Sequence, residues 1–296
     1  MRAFEKKTAG ILTTVDLKSA RARILYWSMF AFLVLASAVC LFPPLWVMLS
    51  SFKDMKEFLQ IPPTIIPRSF HPEKLPEVWR TLNFSTSYAN SLYMAAGELF
   101  FAVVVNGLVG YVISRLRPKG YKVIFTVILW TLMMPTSISM VPLFMMFVNV
   151  PYVGINLTNT FWPMWMMAGA NAFNILIFKN FFDSISMSYL ESARIDGCSN
   201  FGIFARIILP LSRPIIMVVS IFTVNSSWES FLWPYLVLKA PNLHTVAVKL
   251  FVYKSSGLAI DQYMMLLLLA IIPPVVIFII FQKYIMGGFT VGGIKG

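Results

Sequence analysis

Residues 182–210, from Phe182 to Pro210, read FDSISMSYLESARIDGCSNFGIFARIILP. The stretch separates two long apolar runs and is too long for a simple turn. It carries its own helical punctuation. Ser186 or Ser188 can cap a short helix through Ala193 and Ile195, because a hydroxyl oxygen accepts a hydrogen bond from a free N–H of the first turn. Gly197 can stop that helix, since glycine tolerates positive φ. Ser199 or Asn200 can cap a second helix, which Pro210 is expected to end. The expectation is a helix–turn–helix lying outside a bilayer, a knob that a globular partner could grip.

The flanks explain why a bilayer enters the argument. Of 296 residues, 58% are hydrophobic and only 12% charged. A soluble domain carries about 25% charged residues, so this chain cannot cover the surface of a globule, and a soluble enzyme is excluded. Disorder is excluded by the same numbers. Two Cys and two distant His residues exclude a disulfide framework and a Cys- or His-based metal centre. Crossing a bilayer takes about 20 apolar residues in a helix. Six stretches qualify: 24–49, 88–114, 123–148, 158–178, 215–238 and 263–284. Alternating ten-residue segments, the mark of a membrane β-barrel, are not seen. The small-residue run Ala36-Ser37-Ala38 resembles a leader cleavage site, but the apolar run continues past it to Met48, so an uncleaved first helix is the better reading.

The formal net charge of +12 could indicate nucleic acid. Divided by side, it instead records topology. Sixteen of the 24 Lys and Arg fall in the N-terminal tail, the segments after the second and fourth spans, and the C-terminal end. Both termini are therefore expected in the cytoplasm. The expected organisation is a tail over 1–23, an all-α domain of six transmembrane helices over 24–285, and a Gly-rich tail over 286–296. The outer segments are 53–87 and 239–262, and the loop that opened this section occupies 179–213. Prolines at 43, 44, 135, 142, 163, 234, 273 and 274 are expected to kink or end their helices.

Within the loop, Glu191, Ala193, Gly197, Ile207, Leu209 and Pro210 stand at a recognisable spacing: E-A-A, three residues, G, nine residues, I, one residue, L-P. Ser192 replaces the second Ala, a small residue for a small one. This resembles the EAA loop of ABC importer permeases. With the six spans, the long outer segment after the first helix, and the tail Gly288–Gly296, the chain resembles the MalG-like permeases of binding-protein-dependent carbohydrate importers over nearly its whole length. The resemblance implies a type I importer permease fold with cytoplasmic coupling helices. It implies that Glu191, Ser192, Ala193, Asp196, Gly197, Ile207, Leu209 and Pro210 form the contact to an ATPase subunit. It implies that Gly292, Gly293 and Lys295 of the tail reach the ATPase interface; read alone, that tail is a flexible segment. The implied assembly holds a second homologous permease, two ATPase subunits, an extracytoplasmic solute-binding protein and a sugar substrate, in the cell membrane and without nucleic acid. No G-x-x-x-x-G-K-[ST] segment occurs, so no cofactor is expected in this chain, and ATP and Mg²⁺ would be bound by the ATPase.

Candidate pathway residues come from the polar positions at membrane depth. Asn171, Phe173 and Asn174 precede the loop; Asn225, Ser226, Trp228 and Glu229 follow it. Amides and aromatic faces suit neutral sugars, which offer hydroxyl pairs and apolar C–H faces. The same residue types also glue helices together and mark membrane interfaces, and both readings stay open. Two acids, Glu98 and Glu229, lie within spans, where an ionisable group is costly unless paired or hydrated. Glu98 reads as the structural one. An ion-coupled secondary carrier using these acids is the alternative function. The outer residues Pro241, His244, Lys249, Tyr253 and Gly257 are, by resemblance, the contact loop for the binding protein.

Overall fold

This computed structural model describes residues 20–291, with side chains described from 20 to 282. Helix α1 spans Ala20–Ser50, and two short outer helices follow, α2 Met55–Phe58 and α3 Lys74–Thr81. Helix α4 runs Phe84–Tyr111 and widens into a π-helical turn over Val112–Leu116. Then come α5 Tyr121–Met133, α6 Thr136–Val148, α7 Trp162–Gly169 and α8 Ala172–Ser184. The loop contributes α9 Met187–Ile195, α10 Asn200–Ile203, a π-helical turn Phe204–Ile208 and α11 Leu209–Leu211. The chain closes with α12 Arg213–Glu229, α13 Leu232–Val237, α14 Val246–Ser255 and α15 Ile260–Val291.

Three of these helices, α1, α4 with its π turn, and α15, are long and apolar enough to cross a membrane unbroken. The other expected spans are interrupted, each for a local reason. The third bends by 109° between α5 and α6. Pro135 pushes the preceding residue out of the helical region, and Met134 accordingly sits at ψ 127°. The fourth breaks after Gly169, and α8 restarts under an Asn171 cap. The fifth ends at Glu229 rather than continuing to Leu238. Pro234 would clash with the carbonyl four residues back if the helix ran on, and Ser230, the residue in that position, is extended at ψ 118°. Not every proline breaks its helix. Pro43-Pro44 and Pro273-Pro274 lie inside α1 and α15, and Pro142 inside α6. Pro163 stands in the first turn of α7, where its missing N–H removes no helical bond.

Helix α4 is the hub, packed against α7, α8 and α12. Its buried face carries Ser87, Ser91, Ala95, Ala102, Asn106 and Gly110, small or compact residues at helical spacing that let neighbouring backbones approach. At Gly110 an added Cβ would lie 2.8 Å from the Phe178 Cβ and 3.1 Å from the Lys179 backbone nitrogen, so α4 and α8 meet almost backbone to backbone. Helix α1 is the opposite case: none of its apolar span is buried by this chain, and its large side chains face outward.

Candidate functional site

The loop closes over one end of α4. Ser186 is the cap of α9. Gly197 takes φ +78°, and the Cys198 N–H reaches back to the Ala193 carbonyl at 2.9 Å while the Gly197 N–H reaches Arg194 at 3.0 Å; these two bonds satisfy carbonyls that the helix end leaves free. Ser199 caps α10, its hydroxyl accepting from the Gly202 N–H at 3.1 Å. The second helix does not stop at Pro210. It passes through the π-helical turn Phe204–Ile208, continues through Pro210 to Leu211, and turns by 75° into α12.

The loop has two faces. Leu190, Ala193, Ile203 and Ile208 are buried against Tyr111, Phe178 and Phe182. Glu191, Ser192, Asp196, Gly197, Leu209 and Pro210 are exposed, and Ile207 is half-buried. Among the exposed residues are large apolar ones: Ile195 is 86% exposed and Phe201 74%. Burial of Ala193 thus sets it apart from the other motif residues, as part of the packing that aims the knob.

A polar latch ties the knob to α4. The Arg115 guanidinium donates to the carbonyls of Phe182 and Ile185 at the end of α8. Ser114 donates to Asp183 at 2.6 Å, Lys179 pairs with Asp183 at 2.6 Å, and Arg117 lies 3.9 Å from it. Burial alone would raise the Asp183 carboxyl, but the Lys179 and Ser114 hydrogen bonds outweigh it and hold it below the ordinary carboxylate range. Tyr111 completes the link by donating to the Asn200 carbonyl at 3.3 Å.

Nearer the middle of the bundle, the broken helices open a cavity of about 400 Å³. Glu98 enters it from α4; Met164, Met167 and Ala168 from α7; Asn171, Phe173 and Asn174 from the α7–α8 break. The facing wall is Phe222, Thr223 and Ser226 of α12, with Ser230 and Trp233 from its break with α13. The break between α7 and α8 is held open by Asn106. Its amide donates to Ala102 at 2.9 Å and to Ala168 at 2.8 Å, and its oxygen accepts from the Asn171 N–H at 3.2 Å.

Of the seven expected pathway residues, the structure gathers Asn171, Phe173, Asn174 and Ser226 at this cavity. Asn171 also caps α8, accepting from Asn174 at 3.0 Å. The other three do not line it. Trp228 is buried against Phe84 and Met265 and donates to Ala270 at 3.0 Å. Glu229 is exposed and accepts from Asn225, one turn earlier on α12, at 3.1 Å. Glu98, read from sequence as structural, also lines the cavity; its place in the chain, 73 positions before Asn171, gives no local signal of that.

At the other end, the segment expected as a contact loop is largely helical. Pro241 opens a 3₁₀ turn, and the His244 carbonyl accepts from Asn90. Lys249 donates to Asn83 and Tyr253 to Leu82, both at 3.0 Å, so these two side chains anchor α14 to the start of α4. Gly257 turns the chain at φ +75°. Burial, with Lys249 and Lys239 nearby, holds the His244 imidazole below its ordinary pKa and hence neutral near pH 7. Half-buried Lys74 pairs with buried Asp261 at 2.6 Å, joining α3 to α15. The tail residues Gly292, Gly293 and Lys295 lie outside the described residues.

Comparison with known proteins gives this geometry a context. The family model described as "Binding-protein-dependent transport system inner membrane component" matches residues 106–289, from the last turns of α4 into the last helix. The arabinooligosaccharides transport system permease protein AraQ of Halalkalibacterium halodurans is 28% identical over 95% of this chain and 100% of its own length. The galactooligosaccharides transport system permease protein GanQ of Bacillus subtilis is 31% identical over 90% of this chain and 95% of its own. In three dimensions, the chain matches a crystal structure of a bacterial ABC transporter involved in the import of the acidic polysaccharide alginate. The TM-score is 0.78 at 22% identity, covering 90% of this chain and 98% of the other.

Proposed function

The chain belongs to the family of binding-protein-dependent transport system inner membrane components, and from that premise we propose that it is the multi-pass permease subunit of an ATP-driven carbohydrate importer. It passes an oligosaccharide, delivered by a solute-binding protein, through a cavity shared with a second permease. Two ATPase subunits bind the ATP and Mg²⁺ and drive the cycle. The relatives named for arabino- and galacto-oligosaccharide transport support the substrate class. Both termini and the loop of α9–α11 face the cytoplasm, as the distribution of Lys and Arg requires.

The observation that carries this reading is the two-faced loop. Its inner face is welded to the hub helix α4 through the apolar cluster and the Arg115 latch. Its outer face presents Glu191, Asp196, Ile195 and Phe201 to solvent. A partner that grips the outer face can therefore move α4 and α12, the two walls of the cavity. ATP then drives transport only by favouring one arrangement of those walls over the other. His244 and the exposed Pro241 and Gly257 stand where the binding protein docks, with Lys249 and Tyr253 holding that surface in place.

The test is co-purification. The tagged permease, extracted with its partners, is expected to bring down an ATPase whose hydrolysis rises when sugar-loaded binding protein is added. Gly197→Leu is expected to weaken or abolish that association. A permease that purifies without any ATPase, yet takes up sugar on an imposed proton or sodium gradient, is the ion-coupled carrier instead.

A further inference from the structure

The cavity contains an asymmetry of charge that its relatives' names do not explain. Among the described residues that line it, Glu98 is the one ionisable side chain. Every other polar group there is neutral: the amides of Asn171 and Asn174 and the hydroxyls of Thr223, Ser226 and Ser230. No Lys or Arg lines it. Near the Glu98 carboxyl, on the facing helix, stands the Ser227 hydroxyl, which is buried and makes no hydrogen bond of its own. The carboxyl thus faces the gap between α4 and α12.

Resting on the permease reading above, we propose that Glu98 is a specificity-determining residue that bars uronic-acid saccharides and admits uncharged ones. A sugar hydroxyl can donate to a carboxylate and accept from the amides and hydroxyls opposite, while Phe173, Phe222 and Trp233 offer faces for its C–H surfaces. A uronate carboxylate can only accept, and at membrane depth it meets the Glu98 carboxylate with no cation on this chain's wall of the cavity to offset it. Ionised, Glu98 repels the anion; protonated, it still offers the anion only one donor against the full cost of removing it from water. The discrimination is a built repulsion, not only a missing attraction.

The experiment uses the reconstituted complex and its binding protein, with two matched trisaccharides: a neutral galacto-trisaccharide and the corresponding tri-galacturonate. Calorimetry first establishes that the binding protein loads each. Uptake into proteoliposomes and binding to the detergent-purified complex are then measured for wild type, Glu98→Gln and Glu98→Asp. Wild type is expected to favour the neutral sugar at least tenfold in both readouts. E98Q, isosteric and uncharged, is expected to shrink that ratio at least fivefold by raising the uronate arm; E98D is expected to retain it. Equal handling of the two sugars by wild type, or a ratio unchanged in E98Q, overturns the proposal. The binding readout decides the matter even if uptake proves not to need ATP, which would overturn the permease reading alone.

Discussion

The loop at one end of α4 and the cavity near its middle are built by opposite strategies. The loop is local: thirty residues of contiguous sequence carry their own caps, stop and bend, and the rest of the chain contributes an anchoring surface. The cavity is non-local: its walls come from Glu98, from the break between α7 and α8, and from α12 and its break with α13. A continuous helix satisfies its own backbone and presents only side chains. Where Gly169-Ala170-Asn171 and Ser230-Phe231 interrupt the helices, small polar residues gather and space opens. The proposed coupling element is thus written as a motif, whereas the proposed pathway is written as interruptions, and an interruption is tolerated at membrane depth only where protein or a water-filled cavity satisfies it.

Four substitutions bear on that contrast, in decreasing order of expected effect. Gly197→Leu should nearly abolish ATP-driven uptake. No atom stands within 4 Å of a Cβ placed there, so the damage is conformational: a leucine at φ +78° costs about 1–2 kcal/mol and re-aims the exposed end of α9. Normal uptake by G197L would remove the claim that this bend matters. Arg115→Ala strips the charged donor from two helix-end carbonyls and should cost about 1.5–3 kcal/mol, with a severalfold fall in sugar moved per ATP hydrolysed. An unchanged ratio would show that the latch stabilises the loop without transmitting its motion. Asn106→Ala leaves the Ala168 carbonyl and the Asn171 N–H without their partner and should cost about 1–3 kcal/mol in thermal or denaturant unfolding; it should weaken sugar binding while leaving ATPase association intact, the reverse of G197L. Asp183→Asn is the mildest. Its pairs with Lys179 and Arg117 are partly exposed, so the loss should stay below about 1 kcal/mol, measured by the same unfolding assay.

How far the sequence could be read follows the same division. The caps at Ser186 and Ser199, the bend at Gly197 and the apolar character of every span were legible, because each depends on residues within a turn or two of one another. Pro210 was misleading: its expected helix stop is displaced to Ser212, since Pro210 stands in the first turn of α11, where a missing N–H is tolerated. The interruptions were only partly legible. Pro135 and Pro234 mark two of them, but nothing distinguishes these from Pro274 before the packing partners are known. Trp228 lies off the cavity and Glu98 on it for a plain reason. Which face of α12 or α4 meets the cavity depends on how those helices pack together, and Trp228 turns toward α15 while Glu98 turns toward α7, α8 and α12.

The central claim is that force enters through the loop from an ATPase and is felt at the cavity. Its most direct test is sugar uptake by proteoliposomes containing the purified complex, with ATP, loaded binding protein and ion gradients supplied or withheld one at a time. Uptake is expected only when the ATPase subunits, ATP and loaded binding protein are all present, with no dependence on a proton or sodium gradient. Uptake by the permeases alone, driven by either gradient, would contradict it.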